Sequence, residues 1–154
     1  MSFLLAFAIG TLTGLRSLTP PAAVSWAAHL GWINLAQSPL AFMGATVTAC
    51  LFGVLAVGEL IADKLPFVPS RLAAGPLAGR ILLGGLCGAA LCAAAGQSIP
   101  GGAAIGAIGG VAGSFAGYHA RAALVHKAHI PDFAVALVED AITIAGAFFI
   151  VSRS

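Results

Sequence analysis

From Ile81 to Ala120 the chain runs for 40 residues without one Asp, Glu, Lys or Arg. A water-soluble domain of 154 residues has no interior large enough to hide such a run. A bilayer accepts it, because one spanning helix takes up about 20 mostly apolar residues. The run also carries its own punctuation: Gly96-Gln97-Ser98-Ile99-Pro100-Gly101-Gly102 is a turn signal near its middle. An apolar segment long enough to cross is left on each side, so the feature reads as a helical hairpin in a membrane. The rest of the chain agrees, with 60% hydrophobic and 8% charged residues and a mean hydropathy of +1.03. The expected fold is an all-α integral membrane bundle forming one domain over residues 1–154, with no soluble catalytic domain beside it.

Apolar segments at about Phe3–Leu18, Leu40–Ala62, Pro76–Gln97, Gly101–Val125 and Asp132–Val151 predict five spanning helices. Pro76, Pro100 and Pro131 sit near three of the starts, where a missing N–H costs least. Met1 to Leu15 has no positive n-region, so the first helix is expected to be retained rather than cleaved. That helix meets Thr19-Pro20-Pro21, which stops or sharply kinks it. The piece that follows, Ala22 to Ile33, is short and amphiphilic and carries Trp26, His29 and Trp32. It either lies flat on the surface or dips in and returns as a re-entrant segment, and both geometries fit the pattern.

Five spans place the termini on opposite sides. Lys64, Arg71, Arg80, Arg121 and Lys127 gather on one side, against Arg16 and Arg153 on the other. The positive-inside rule then puts the N-terminus in the cytoplasm and the C-terminus outside. Glycine is the second organising signal, with 20 in the chain. Gly102, Gly106 and Gly110 form one row on the fourth span, and Gly109, Gly113 and Gly117 form another. Gly10 with Gly14, Gly75 with Gly79, and Gly84 with Gly88 repeat the spacing. Small residues four apart let helix backbones approach closely in lipid, either within one chain or across a homo-oligomer face.

Several charges sit where bulk water is hard to reach. Glu59 and Asp63 share one face at the end of the second span. Arg80 lies one turn into the third, Arg121 one turn before the end of the fourth, and Glu139 and Asp140 about two turns into the fifth. Each charge in the bilayer core costs about 2.5–3.5 kcal/mol on insertion scales, so such groups pair, line water or carry function. Interhelical salt bridges that fix packing are the plain reading; a polar pathway for an ion is the sharper one. Arg16 snorkels to the surface if the first helix is straight. If residues 3–33 form a broken element, it faces the bundle, where it suits an anion, carboxylate or phosphate, or pairs with Glu59 or Glu139.

The remaining signals are weaker. Cys50, Cys87 and Cys92 lie in apolar segments and read as small packing residues. His126, His129 and Asp132 have ligand-like spacing, but Pro131 interrupts it and a solvated interfacial loop suits them better than a metal. A net charge of +2 without a basic run gives no reason to expect a nucleic-acid partner. Neither a cofactor nor an enzymatic activity is expected, since no nucleotide or catalytic fingerprint occurs.

Gly14-Leu15-Arg16-Ser17 with Thr19-Pro20-Pro21, Glu59-Leu60-Ile61-Ala62-Asp63-Lys64-Leu65-Pro66, Pro69-Ser70-Arg71, Gly75-Pro76-Leu77-Ala78-Gly79-Arg80, Gly117-Tyr118-His119-Ala120-Arg121 and Val138-Glu139-Asp140 form a motif set across most of the chain. It resembles the domain of unknown function 4126 family. The resemblance implies a small multi-spanning membrane protein, placed here in a bacterial inner membrane, and groups Arg16, Glu59, Asp63, Arg80, Arg121 and Glu139 as one set. It implies no substrate.

Two functions compete. The first is a small channel or transporter, a homo-oligomer, moving an ion or small anionic solute along Arg16, Glu59, Asp63, Arg80, Arg121, Glu139 and Asp140. The second is a non-transporting protein that binds membrane lipid or organises a complex through its glycine faces. Transport predicts that the charges line one water-accessible cavity; the second reading predicts that every charge is paired in a dry interface.

Overall fold

A computed structural model describes residues 1–65, 70 and 72–154. The expected loop at Phe67–Arg71, apart from Ser70, falls outside the described residues, as do Pro66, Pro69 and Arg71 of the motif set. The described residues are helical and contain no strand. The order is α1 (Ser2–Leu15), α2 (Thr19–His29), a short 3-10 turn (Ala41–Gly44), α3 (Thr46–Ala62), α4 (Ala74–Ala94), α5 (Ile99–His126) and α6 (Asp132–Val151). Three of these, α4, α5 and α6, are long and apolar enough to cross a membrane; α1 and α3 are shorter apolar helices of 14 and 17 residues. At 1.5 Å per residue these two reach about 21 and 26 Å, against a hydrocarbon core of about 30 Å.

The turn inside the uncharged run is built as its residues suggest. Gly96 adopts φ +66° just past the end of α4, a conformation that glycine accepts without strain. Ser98 then caps α5, its hydroxyl accepting from the Gly101 N–H at 3.2 Å, with Pro100 in the first turn. At Thr19-Pro20-Pro21 the prolines open a helix as well as separating it from the one before. α1 stops at Leu15, Arg16 is extended (φ −135°, ψ 117°), and α2 begins at Thr19 with both prolines in its first turn. That position tolerates a missing N–H, so α2 starts three residues before the expected Ala22.

Packing follows the glycines. A Cβ on Gly106 would meet the carbonyl of Gly84 and the Cα of Gly88, and one on Gly113 would meet the backbone of Thr11. Gly102, Gly106 and Gly110 therefore face α4, while Gly109 and Gly113 face α1. Five of the six glycines in the two rows of α5 thus face helices of the same chain. The pairings also fix direction. Phe3 lies against Gly101, Gly10 against Gly106, and Gly14 against Gly110, so α1 runs parallel to α5; Gly88 meets Gly102 and Arg80 meets Gly110, so α4 runs antiparallel to both.

α2 turns back. Its start lies beside Glu59 near the end of α3, and its end lies beside the 3-10 turn that precedes α3, where His29 Nδ1 is 3.1 Å from the Gly44 carbonyl oxygen. The end of α6 joins the same region. Ala147, Ile150 and Val151 share an apolar cluster with Ile9, Val24, Ala27, Met43 and Leu91, and Trp32 sets an edge on Phe148 at 5.3 Å. Among the described residues both termini lie at one end of the bundle, whereas five spans would set them at opposite ends, because α2 runs back toward the end at which α1 begins.

Gly106→Leu or Gly113→Leu should destabilise the purified protein by more than about 3 kcal/mol, beyond ordinary overpacking, because backbone rather than a movable side chain fills the space. A Cβ added to Gly58 would find nothing within 4 Å. Gly58→Ala should therefore be neutral or stabilising by up to about 1 kcal/mol through helix propensity. Thermal unfolding in detergent checks both; a tolerant Gly106→Leu would contradict the packing.

Candidate functional site

The break between α1 and α2 creates the site. The Arg16 N–H still donates to the Leu12 carbonyl at 2.9 Å. The next two N–H groups, on Ser17 and Leu18, point to no helical acceptor. The Glu59 carboxylate takes both: Oε1 accepts from Ser17 at 2.7 Å and Oε2 from Leu18 at 2.8 Å. This is an anion seated at a helix N-terminus, where free N–H groups and the helix dipole both favour negative charge. Pro20 and Pro21 carry no N–H, which leaves the linker donors to hold the carboxylate.

Arg16 occupies the centre and is fully buried. It pairs with Asp63, which lies one turn beyond Glu59 on the same face, and its Nη2 lies 2.5 Å from Asp140 Oδ1 and 4.0 Å from Glu139 Oε2. The same nitrogen donates to the Ala136 carbonyl at 3.3 Å. Asp140 continues to Lys64, whose Nζ lies 2.9 Å from Oδ2 and also donates to the Leu60 carbonyl at 2.8 Å. Arg121 forms a two-pronged pair with Asp132, both bonds at 2.7 Å, and reaches Glu139 at 3.3 Å. Arg80, also buried, donates from Nε to the Ser17 hydroxyl at 3.1 Å.

All seven residues singled out in the sequence converge on this network. Their partners differ from the simplest expectation. Glu59 holds backbone N–H groups rather than an arginine, and Arg16 takes Asp63 and Asp140 as its nearest acids rather than Glu59 or Glu139. The straight-helix alternative, with Arg16 at the surface, is excluded by its complete burial. Three further residues belong to the site: Ser17, Lys64 and Asp132. Asp132 shares its sequence spacing with His126 and His129, and its carboxylate accepts from Arg121.

All 5 acidic residues of the chain lie in one network, with Arg16, Lys64, Arg80 and Arg121. Side-chain exposure rises along it, from 0% at Arg16 through 11–12% at Asp63, Glu139 and Asp140 to 18% at Arg121, 25% at Lys64 and 61% at Asp132. The site is closed at the α1–α2 tip and opens toward the end where α3 and α5 finish. Among the described residues the network carries four positive and five negative formal charges. Such an arrangement can bind, exclude or relay small ions.

The family model for a domain of unknown function, DUF4126, matches residues 3–152, and the chain belongs to that family. No curated protein and no solved structure matches the chain.

The gradient of burial sets a gradient of cost. Arg16→Gln leaves Asp63 and Asp140 without their central cation and should cost about 3–5 kcal/mol, the range for half of a buried pair. Asp132→Asn removes a mostly exposed acid and should cost about 1 kcal/mol or less. Unfolding in lipid nanodiscs measures both, and equal effects would contradict the assignment of Arg16 as the centre.

Proposed function

We propose that this protein is a small integral membrane channel or transporter for an ion or small anionic solute. The observation that carries the reading is the α1–α2 tip, a helix interruption inside the bundle where Arg16 and two backbone N–H groups meet acids from α3 and α6. Interrupted helices whose free backbone groups meet charges within the bundle are how many transporters build their sites. In this reading α3, α4, α5 and α6 cross, while α1 and α2 dip in from one face and return. Four crossing helices enclose little volume, so a homo-oligomer supplies the rest of the wall.

Orientation follows from the charges at each end. Lys64, Arg80, Arg121 and Lys127 belong to one end, and Arg71 falls between Lys64 and Arg80 in the sequence. Arg153 alone belongs to the other end, since Arg16 is buried between them. The positive-inside rule puts the first end in the cytoplasm. Both termini then lie outside, which reverses the N-terminal side expected from five spans. Single cysteines at Ser2 and Ser154 of a cysteine-free variant should label from one side of the membrane and Ser70 from the other.

One observation favours the non-transporting reading: Arg16 has no exposed surface and acids on more than one side, as in a dry structural latch. Flux separates the two. Reconstituted wild type should pass a small ion, and Glu139→Gln or Arg16→Gln, where folded, should change that flux on the order of tenfold, equivalent to about 1.4 kcal/mol in the barrier. A wild type inert across a broad ion screen, with both variants merely unfolded, would leave the latch as the whole story.

A further inference from the structure

Glu59 is held in an unusual way. An acid within a membrane bundle ordinarily pairs with a cation, yet both Glu59 oxygens are spent on the N–H groups of Ser17 and Leu18, at 2.7 and 2.8 Å. Those donors are rigid parts of the linker, set by the end of α1 and the prolines of α2. The residues on either side of the two donors also carry buried polar atoms that Glu59 does not use. The Arg16 Nε and the Thr19 hydroxyl are buried beside the linker and have no hydrogen-bond partner, and Arg80 reaches the adjoining Ser17 hydroxyl. The cradle is therefore a built carboxylate site, filled by a carboxylate of the same chain.

The occupant rides on a helix with little surface buried inside the chain. Of the 17 residues of α3, only Ala49 and Ala56 are buried, and α3 packs chiefly against α2 and the 3-10 turn rather than the glycine core. Gly58, beside Glu59, has open space around it. Sparse burial marks the elements that open first. When α3 tilts outward, Glu59 and Asp63 leave together, because they lie one turn apart on one face. The Ser17 and Leu18 donors and the Arg16 guanidinium would then be orphaned at low dielectric, which is costly unless another anion arrives.

We propose that the backbone of Ser17 and Leu18 forms an anion cradle, that Glu59 is its tethered resident, and that a small carboxylate-shaped monoanion takes its place when α3 moves away. The cradle stands on the geometry alone; the exchange of occupants during transport rests on the transport reading above. Two N–H groups that span both oxygens of one carboxylate select a flat, bidentate anion, of the size of formate or acetate, over a spherical or bulky one.

Chemical rescue tests the cradle without any flux. Glu59→Ala removes the resident and leaves space for a free carboxylate. In purified full-length protein, sodium formate or acetate at ten times its dissociation constant should raise the melting temperature of Glu59→Ala by about 3–5 °C. The same salts should leave the wild type within about 1 °C, as should sodium gluconate, too bulky for the site, with either protein. Where Glu59→Ala is too unstable to purify in plain buffer, the folded yield after solubilisation with and without formate gives the same reading. Equal behaviour in all salts, or an unfolded protein in all of them, overturns the proposal. Anion efflux from proteoliposomes then separates the two ideas, with Glu59→Gln expected to exceed the wild type on the order of tenfold as the resident loses its charge. Rescue without efflux from any variant keeps the cradle and removes the pathway; efflux without rescue keeps the pathway and removes the cradle.

Discussion

An interrupted helix inside an apolar bundle must satisfy the backbone groups that it frees, and everything distinctive here follows from that demand. No water waits in a hydrocarbon core to accept an unpaired N–H. Where α1 gives way to α2, Ser17 and Leu18 lose their helical acceptors, and the chain answers with a carboxylate from a helix more than 40 residues away. The arginine buried at the same break then needs anions of its own, which α6 and the end of α3 provide. One local decision at Thr19-Pro20-Pro21 thus determines where the acids of two other helices must stand.

The glycine core and the charged network divide the labour. α1, α4 and α5 touch through backbone, with carbonyls where side chains would ordinarily lie. Such contacts tolerate almost no displacement, because any shift separates atoms already at contact distance. α3 and α6 attach around this core, and their polar contacts are ion pairs and charge-assisted hydrogen bonds. Those interactions are strong when made and have discrete alternatives when broken. The rigid part positions Arg16 and the linker; the peripheral helices carry the groups that meet them.

Much of this was legible in the residues. The α4–α5 hairpin and the bounds of α6 follow from charge gaps and prolines, and the spacing of Gly102, Gly106 and Gly110 already describes a helix face that admits a neighbour at close range. The nearness of Glu59, Asp63, Arg80, Arg121, Glu139 and Asp140 was visible because charges in an apolar chain have nowhere else to go, whereas Arg16 stayed open between the surface and the bundle until the break after α1 was known. The direction of α2 was not legible. Two prolines fit the end of one helix and the start of the next equally well, and only packing against α3 decides. Nor was the partner of Glu59, since pairing acids with cations overlooks backbone donors until a helix break is known to expose them. The role of Asp132 was hidden because its proximity to Arg121, 11 residues earlier, depends on the turn between α5 and α6.

The same division explains why so few charges can serve a membrane protein of this size. A lone acid or arginine in the bundle would cost several kilocalories and destabilise it. Gathered around one break, the five acids and the four cations among the described residues offset one another, so the network holds only while its contributors stay together. That makes it a set of linked contacts rather than independent braces: withdrawing α3 removes Glu59, Asp63 and the adjoining Lys64 at once, and leaves Arg16 facing α6 alone. A group of contacts that can only be made or lost together has two states rather than a continuum. On the transport reading proposed above, those two states would gate the path at the α1–α2 tip, with α3 as the part that moves and the tip as the part that stays.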